Sequence, residues 1–175
     1  LLIVGLAPGR AGANRTGVPF TGDDSGDFLF AGLIRHGFAV PSAGARGYRL
    51  NDTRITNAVR CLPPGNHPLP TEVRACRDYL LRDLGLALGG GRRRRRVAVL
   101  ALGQLGHQAV LDALNLRRSA HGFGHAARFA LADNAVLVDS FHPSRYNTRT
   151  GRLTRAMFDA VLGPLRRYLD ADLPP

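Results

Sequence analysis

The chain has no lysine: all 24 basic residues among its 175 are arginine. A P-loop ATPase, whose Walker lysine reaches the phosphates, is thereby excluded. So is strand-nicking glycosylase chemistry through a Schiff base, which needs an amine nucleophile. No apolar run approaches the ~18–20 residues that cross a bilayer, and no signal-peptide pattern is seen, so no membrane partner is expected. Cysteine is scarce, with only Cys61 and Cys76. In a cytosolic protein a disulfide between them is disfavoured. Two reduced buried thiols, or half of a metal or cluster site, are the readings left open. An initiator methionine is absent too. Leu1 stands inside the first apparent strand, so an N-terminal segment is expected to be missing.

What is present points to one globular domain over 1–175, with 45% hydrophobic residues, enough for a real core. The net charge is +11. Arginine together with abundant Ala, Gly and Leu also matches a GC-rich genome, but the surface is strongly positive whatever its origin and favours polyanions, nucleic acid first.

Leu1 to Val4 reads as a short buried strand. Residues 5–26 are rich in Gly, Pro, Asn, Asp and Thr and form a long loop, a length usually kept for function. Asp24 or Ser25 caps a helix to about Arg35, ended by Gly37. Arg54 to Val59 and Val97 to Leu102 are further strands, and Ala135 to Val138 is the fourth. Helices are expected from Thr71, from Gly103 to Leu114, and from Thr150 onward. Gly89 to Arg96 is a low-complexity connector. Residues 117–133 look irregular or like a hairpin, and His121 and His125 there lack the further ligands a metal would need. Strands alternating with helices predict an α/β fold with a parallel sheet covered on both faces. All strand C-terminal ends then share one edge, where ligands bind in such sheets.

Two segments bring chemistry to that edge. The first is Gly5-Leu-Ala-Pro-Gly9, continuing to Asn14-Arg-Thr-Gly17 and Pro19-Phe-Thr-Gly-Asp23. The second is His142-Pro-Ser-Arg-Tyr-Asn147, continuing to Thr150-Gly-Arg-Leu-Thr154. With Asn57 they offer a glycine-lined backbone cradle, an aromatic face, a side-chain amide and a histidine, equipment for holding a planar base and pulling on a leaving group. Each residue also has a plainer use: Phe20 in the core, Asn57 as a loop anchor, His142 as a turn cap, Tyr146 as an ordinary surface aromatic.

At these residues the chain resembles the uracil-DNA glycosylases of family five, the type b enzymes. The resemblance implies a three-layer α/β/α sandwich with a four-stranded parallel sheet. It also implies removal of uracil, and of other deaminated bases such as hypoxanthine, from DNA. The setting implied is the cytoplasm of a bacterium or archaeon, near the nucleoid, with the protein acting as a monomer. Most superfamily members carry a water-activating Asp or Asn at the third position of the first motif. Here it is Ala7, as in the type b pattern, whereas type a relatives carry glutamate. Asn14 then matches a second polar position implicated in catalysis. The histidine common at the position of Ala11 is missing. Cys61 and Cys76 match two of four thiolates that hold a 4Fe–4S cluster, the other two being expected N-terminal to Leu1.

The roles that follow are these. The nucleotide leaves the stack, and Arg15, Ser144, Arg145, Tyr146 and Asn147 contact DNA. Phe20 stacks on the base and Asn57 reads its edge, since an amide donates and accepts at once. Gly5, Leu6, Ala7, Pro8 and Gly9 line the pocket with backbone groups. His142 gives a strong hydrogen bond, neutral or charged, to the carbonyl next to the breaking bond, and Asn14 positions water. Two other classes stay open. One is a DNA-damage binder of the same fold with weak catalysis, which release of free base would exclude. The other is a generic nucleotide-binding domain, which a mononucleotide titration would reveal.

Overall fold

The computed structural model describes residues 1–43, 47–89 and 95–171. In chain order the elements are β1 (Leu2–Gly5), α1 (Ala13–Thr16), α2 (Asp24–Arg35), β2 (Ala39–Pro41), β3 (Tyr48–Leu50), β4 (Arg54–Asn57), α3 (Pro70–Leu88), β5 (Val97–Leu102), α4 (Gln104–Ala113), β6 (Arg128–Ala132), β7 (Ala135–Ser140), α5 (Arg145–Arg149) and α6 (Arg155–Asp170). The main sheet runs β4-β1-β5-β7-β6.

Burial along β1, β5 and β7 follows from their apolar runs, which in β7 give way at the C-terminal end to the buried Asp139 and Ser140. Alternation then divides the side chains between two faces. Ile3, Ala98, Leu100, Val136 and Val138 pack under α2 and α6 with Leu29, Leu33, Phe158 and Leu162. Leu2, Val4, Val99, Ala101 and Leu137 face α3 and α4 with Leu80, Leu84, Val110 and Leu111. This is the expected three-layer α/β/α arrangement. Gly32 lets α2 approach α6, since a Cβ there would lie 2.7 Å from the Phe158 ring.

The sheet differs from the four-stranded expectation in one respect. Four strands are parallel, and a fifth, β6, joins antiparallel to β7 through the Asp133-Asn134 turn. The hairpin reading of residues 117–133 was thus the right one for their last part. β6 alternates exposed and half-buried residues, the signature of an edge strand. A separate hairpin, β2 with β3, lies outside the sheet. The last helix starts at Arg155, capped by Thr154, rather than at Thr150. A separate short helix, α5, capped by Ser144, precedes it. Of the Gly89–Arg96 connector, residues 90–94 lie outside the described residues. No helix among the described residues is long and apolar enough to cross a membrane.

Candidate active site

Parallel pairing sets Gly5 beside Asn57. Beyond the strands, the Ala58 N–H donates to the Gly5 carbonyl at 2.9 Å and the Val59 N–H donates to the Leu6 carbonyl at 2.9 Å. The two loops therefore leave the sheet together. A Cβ at Gly5 would fall 2.5 Å from Asn57 Oδ1 and 2.7 Å from the Phe20 ring. The glycine is what lets an aromatic face and an amide meet over bare backbone.

Phe20 is held there at a cost. Its φ is 55°, a left-handed conformation costly for a bulky residue. It persists because α2 starts against it: a Cβ at Gly26 would lie 2.0 Å from the Phe20 carbonyl oxygen. The Phe20 ring stands 6.0 Å from that of His142, tilted by 34°.

Asn57 is 8% exposed, and its Oδ1 is buried without a hydrogen-bond partner. Such a group costs about 1–3 kcal/mol, so a fold that keeps it is keeping an acceptor for something else. His142 follows β7. Its carbonyl accepts from Asn147 Nδ2 at 2.8 Å, and its Cβ packs on Gly103. Burial pushes the imidazole down to about 4, against a smaller opposing pull from the Asp23 carboxylate. The ring is neutral at neutral pH and keeps one N–H to donate. Behind it, His125 stacks on Phe141 with centroids 4.9 Å apart and accepts the Phe141 N–H at Nδ1. Its Nε2 donates to the Met157 carbonyl. His121 Nδ1 lies 2.9 Å from the Arg117 carbonyl. His125 thus braces the residue before His142, whereas His121 packs edge-on against Phe129 of β6. Among the described residues there is no group of three metal-type ligands.

Asn14 sits on α1, exposed, and lines a cleft of about 460 Å³ with Pro8, Pro19, Asn57, Arg54 and Arg60. Leu6, Ala7, Pro8 and Gly9 are half-buried along the rim. Pro8 has no N–H, so the cradle's donors there are Leu6, Ala7 and Gly9. Arg15 folds back, its Nε donating to the Ala11 carbonyl at 3.1 Å. Arg145 pairs with Asp24 at 3.3 Å, Ser144 caps α5, and Tyr146 projects with 70% of its surface exposed. Asn147 differs from its neighbours, since its amide nitrogen is taken up in holding His142. Cys61 is exposed, Cys76 half-buried, and both are free thiols.

One further cluster joins partners that no sequence motif links. Asp83 of α3 is 2% exposed. Its Oδ1 accepts from Arg54 Nε and Nη2 at 2.9 and 2.6 Å, and its Oδ2 accepts from Thr56 Oγ1 and Arg60 Nη2 at 2.6 and 2.9 Å. One carboxylate thus fixes two guanidiniums in the wall of the Asn14 cleft. Burial raises the Asp83 pKa, but Thr56, Arg54 and Arg60 outweigh it and hold the carboxyl below its usual range. Because the folded value is depressed, this stabilisation is complete above the unfolded carboxylate range near ~3.9 and is lost as pH falls through the folded value. Asp83→Asn is expected to lower stability by about 1–3 kcal/mol at neutral pH, with a smaller difference at acid pH, read by denaturant melts.

The family model described as the uracil DNA glycosylase superfamily matches residues 1–166. The chain belongs to that superfamily. It is 46% identical over 169 residues to the Type-5 uracil-DNA glycosylase of Thermus thermophilus, an alignment covering 95% of this chain and 74% of that protein. Identity to the Type-5 uracil-DNA glycosylase of Mycobacterium tuberculosis is 42% over 165 residues, 92% of this chain and 60% of that protein. A Type-4 uracil-DNA glycosylase of Pyrobaculum aerophilum shares 34% over 177 residues. The resemblance carried by the two motifs, family five with type b character, is borne out by these relatives. The chain spans about three quarters of the Thermus protein and three fifths of the mycobacterial one.

Proposed function

We propose that the protein is a monofunctional uracil-DNA glycosylase that hydrolyses the N-glycosidic bond of uracil in DNA, and of other deaminated bases such as hypoxanthine, to begin base excision repair. The observation that carries this reading is the buried Asn57 amide without a partner, facing Phe20 across Gly5 and placed at the same sheet edge as His142. A flipped base stacks on Phe20 and completes the amide's hydrogen bonds, while Gly5 to Gly9 line the pocket. His142 donates to the base carbonyl as negative charge develops there, and Asn14 orients water. Arg15, Ser144, Arg145 and Tyr146 hold the DNA, with Asn147 setting His142. The protein works as a monomer.

The test is single-turnover release of free base from a U·G duplex by the full-length protein. Binding without release would favour the damage-binding alternative. The absence of lysine from residues 1–175 adds a second expected result: borohydride added during turnover traps no covalent adduct between these residues and DNA. A trapped adduct would contradict monofunctional hydrolysis.

We also propose that Cys61 and Cys76 are two of four thiolates of a 4Fe–4S cluster, the other two lying N-terminal to Leu1. The donor chemistry fits, since both thiols are free and neither is buried. Such a cluster would tie the loop after β4 to α3, and base release does not run through it. Full-length protein purified without oxygen is expected to be brown, and Cys61→Ser or Cys76→Ser to bleach it. Colourless, active protein would remove the proposal.

A further inference from the structure

The first-motif loop from Gly5 to Gly17 carries no acidic residue of its own, yet a carboxylate from the start of α2 lies against it. Asp23 caps α2, its Oδ1 accepting the Gly26 N–H at 2.9 Å. Its Oδ2 lies against the first-motif loop: a Cβ at Gly12 would come within 2.1 Å of it, and one at Gly9 within 2.7 Å. The loop is wrapped on this oxygen, and glycine at both positions is what lets it approach. Among the described residues no protein donor satisfies Oδ2. Asp23 is half-buried and lines a cleft of about 900 Å³ with Gly9, Arg10, Ala11, Asp24 and Arg145. Asp24 is already paired with Arg145. Asp23 is also the acidic group whose charge is felt at His142.

An unpaired carboxylate in a cleft meant for a polyanion weakens binding, because DNA phosphates repel it. The arrangement makes sense if the anion faces positive charge that exists only during the reaction. When the glycosidic bond breaks, the electron pair leaves on the base and the sugar gains positive character. A fixed charge aimed where charge develops lowers that barrier.

Resting on the glycosylase reading above, we propose that Asp23 is a catalytic residue of this site, its carboxylate stabilising the cationic sugar from beside Gly9 and Gly12 of the first-motif loop. The step stays hydrolytic. The C1′–N bond breaks with its electrons going to the base, water forms the new C1′–O bond, and the proton that water loses passes to solvent and on to the base.

The test uses Asp23→Asn in the full-length protein, because asparagine caps a helix as well as aspartate does and removes only the charge. Asp23→Ser, another good cap, guards against a folding failure of the first variant. Three quantities are measured: the melting temperature, the single-turnover release rate on U·G duplex, and affinity for duplexes with a cationic pyrrolidine or a neutral tetrahydrofuran at the target position. We expect unchanged melting, release slower by on the order of 10–100-fold, and uracil-DNA affinity equal or tighter. The parental preference for the cationic analogue should shrink about tenfold. Parental rates in the variants would overturn the proposal. So would rate, affinity and melting temperature falling together, which is the pattern of a lost cap. If the parent itself releases no base, the glycosylase reading fails, while loss of the cation preference in the variants still reports on Asp23.

Discussion

His142→Ala is expected to slow base excision by on the order of 10²–10³, far more than Asn14→Ala, while both variants still bind uracil-containing DNA. The reason lies in what each side chain can do. Asn14 is exposed on a four-residue helix, and an amide is no base. Ala7 cannot deprotonate water. The barrier must then fall through charge stabilisation, on the base by His142 and on the sugar by Asp23. Burial keeps His142 neutral, with a pKa near 4, so the excision rate should show no His142 titration between about pH 6 and 8. The same depression makes the fold lose stability as pH drops from about 6.5 toward 4, because the unfolded histidine takes up its proton first. Single-turnover rates on U·G duplex decide the ranking. If His142→Ala kept near-parental rates while Asn14→Ala abolished excision, water positioning would be the dominant contribution.

The parts of this molecule legible in the sequence are those governed by local pattern. Val97–Leu102 is an unbroken apolar run and forms the central strand with those bounds. Gly37 ends α2 with φ of 73°, as a residue free to be left-handed should. The α2 cap is Asp23, one residue before Asp24 and two before Ser25, the caps expected, because its carboxylate reaches the Gly26 N–H. Elements made by distant pairing were less legible. The β2–β3 hairpin has three-residue strands whose stability comes from packing such as Tyr48 stacked on Phe30, ring centres 4.2 Å apart. The break between α5 and α6 comes from Leu153 turning inward to full burial, its N–H bonded to the Asn147 carbonyl. At the site, Gly5, Phe20 and His142 could be assembled from motifs on two strand ends. Asp23 stood in the first motif, but its nearness to Gly9 and Gly12 depends on the loop folding back. The helical period of α3 puts Asp83 on the buried face with Leu80 and Leu84, but its partners on and after β4 lie up to 29 residues away and share no motif with it.

Asn57→Leu separates stability from function most sharply. The change keeps roughly the same volume and replaces an amide whose Oδ1 is buried without a partner. It also puts methyl groups against the Phe20 ring, an apolar neighbour already within reach of the Gly5 position. Removing an unsatisfied buried polar group while retaining shape is neutral or stabilising, so the melting temperature is expected to hold or rise. Excision is expected to fall much further. A site built to hydrogen-bond its substrate discriminates by about 10⁴–10⁵ when one side of the pair is missing, and leucine can neither donate to a base carbonyl nor accept from a ring N–H. A loss of at least about a hundredfold is therefore expected even if backbone contacts from the first motif retain some binding. Thermal melts and single-turnover excision on the same preparations give both readouts. A marked drop in melting temperature would show that the amide serves the fold as a loop anchor. Near-parental excision in a well-folded variant would show that the base edge is read by the backbone of Leu6 to Gly9 instead.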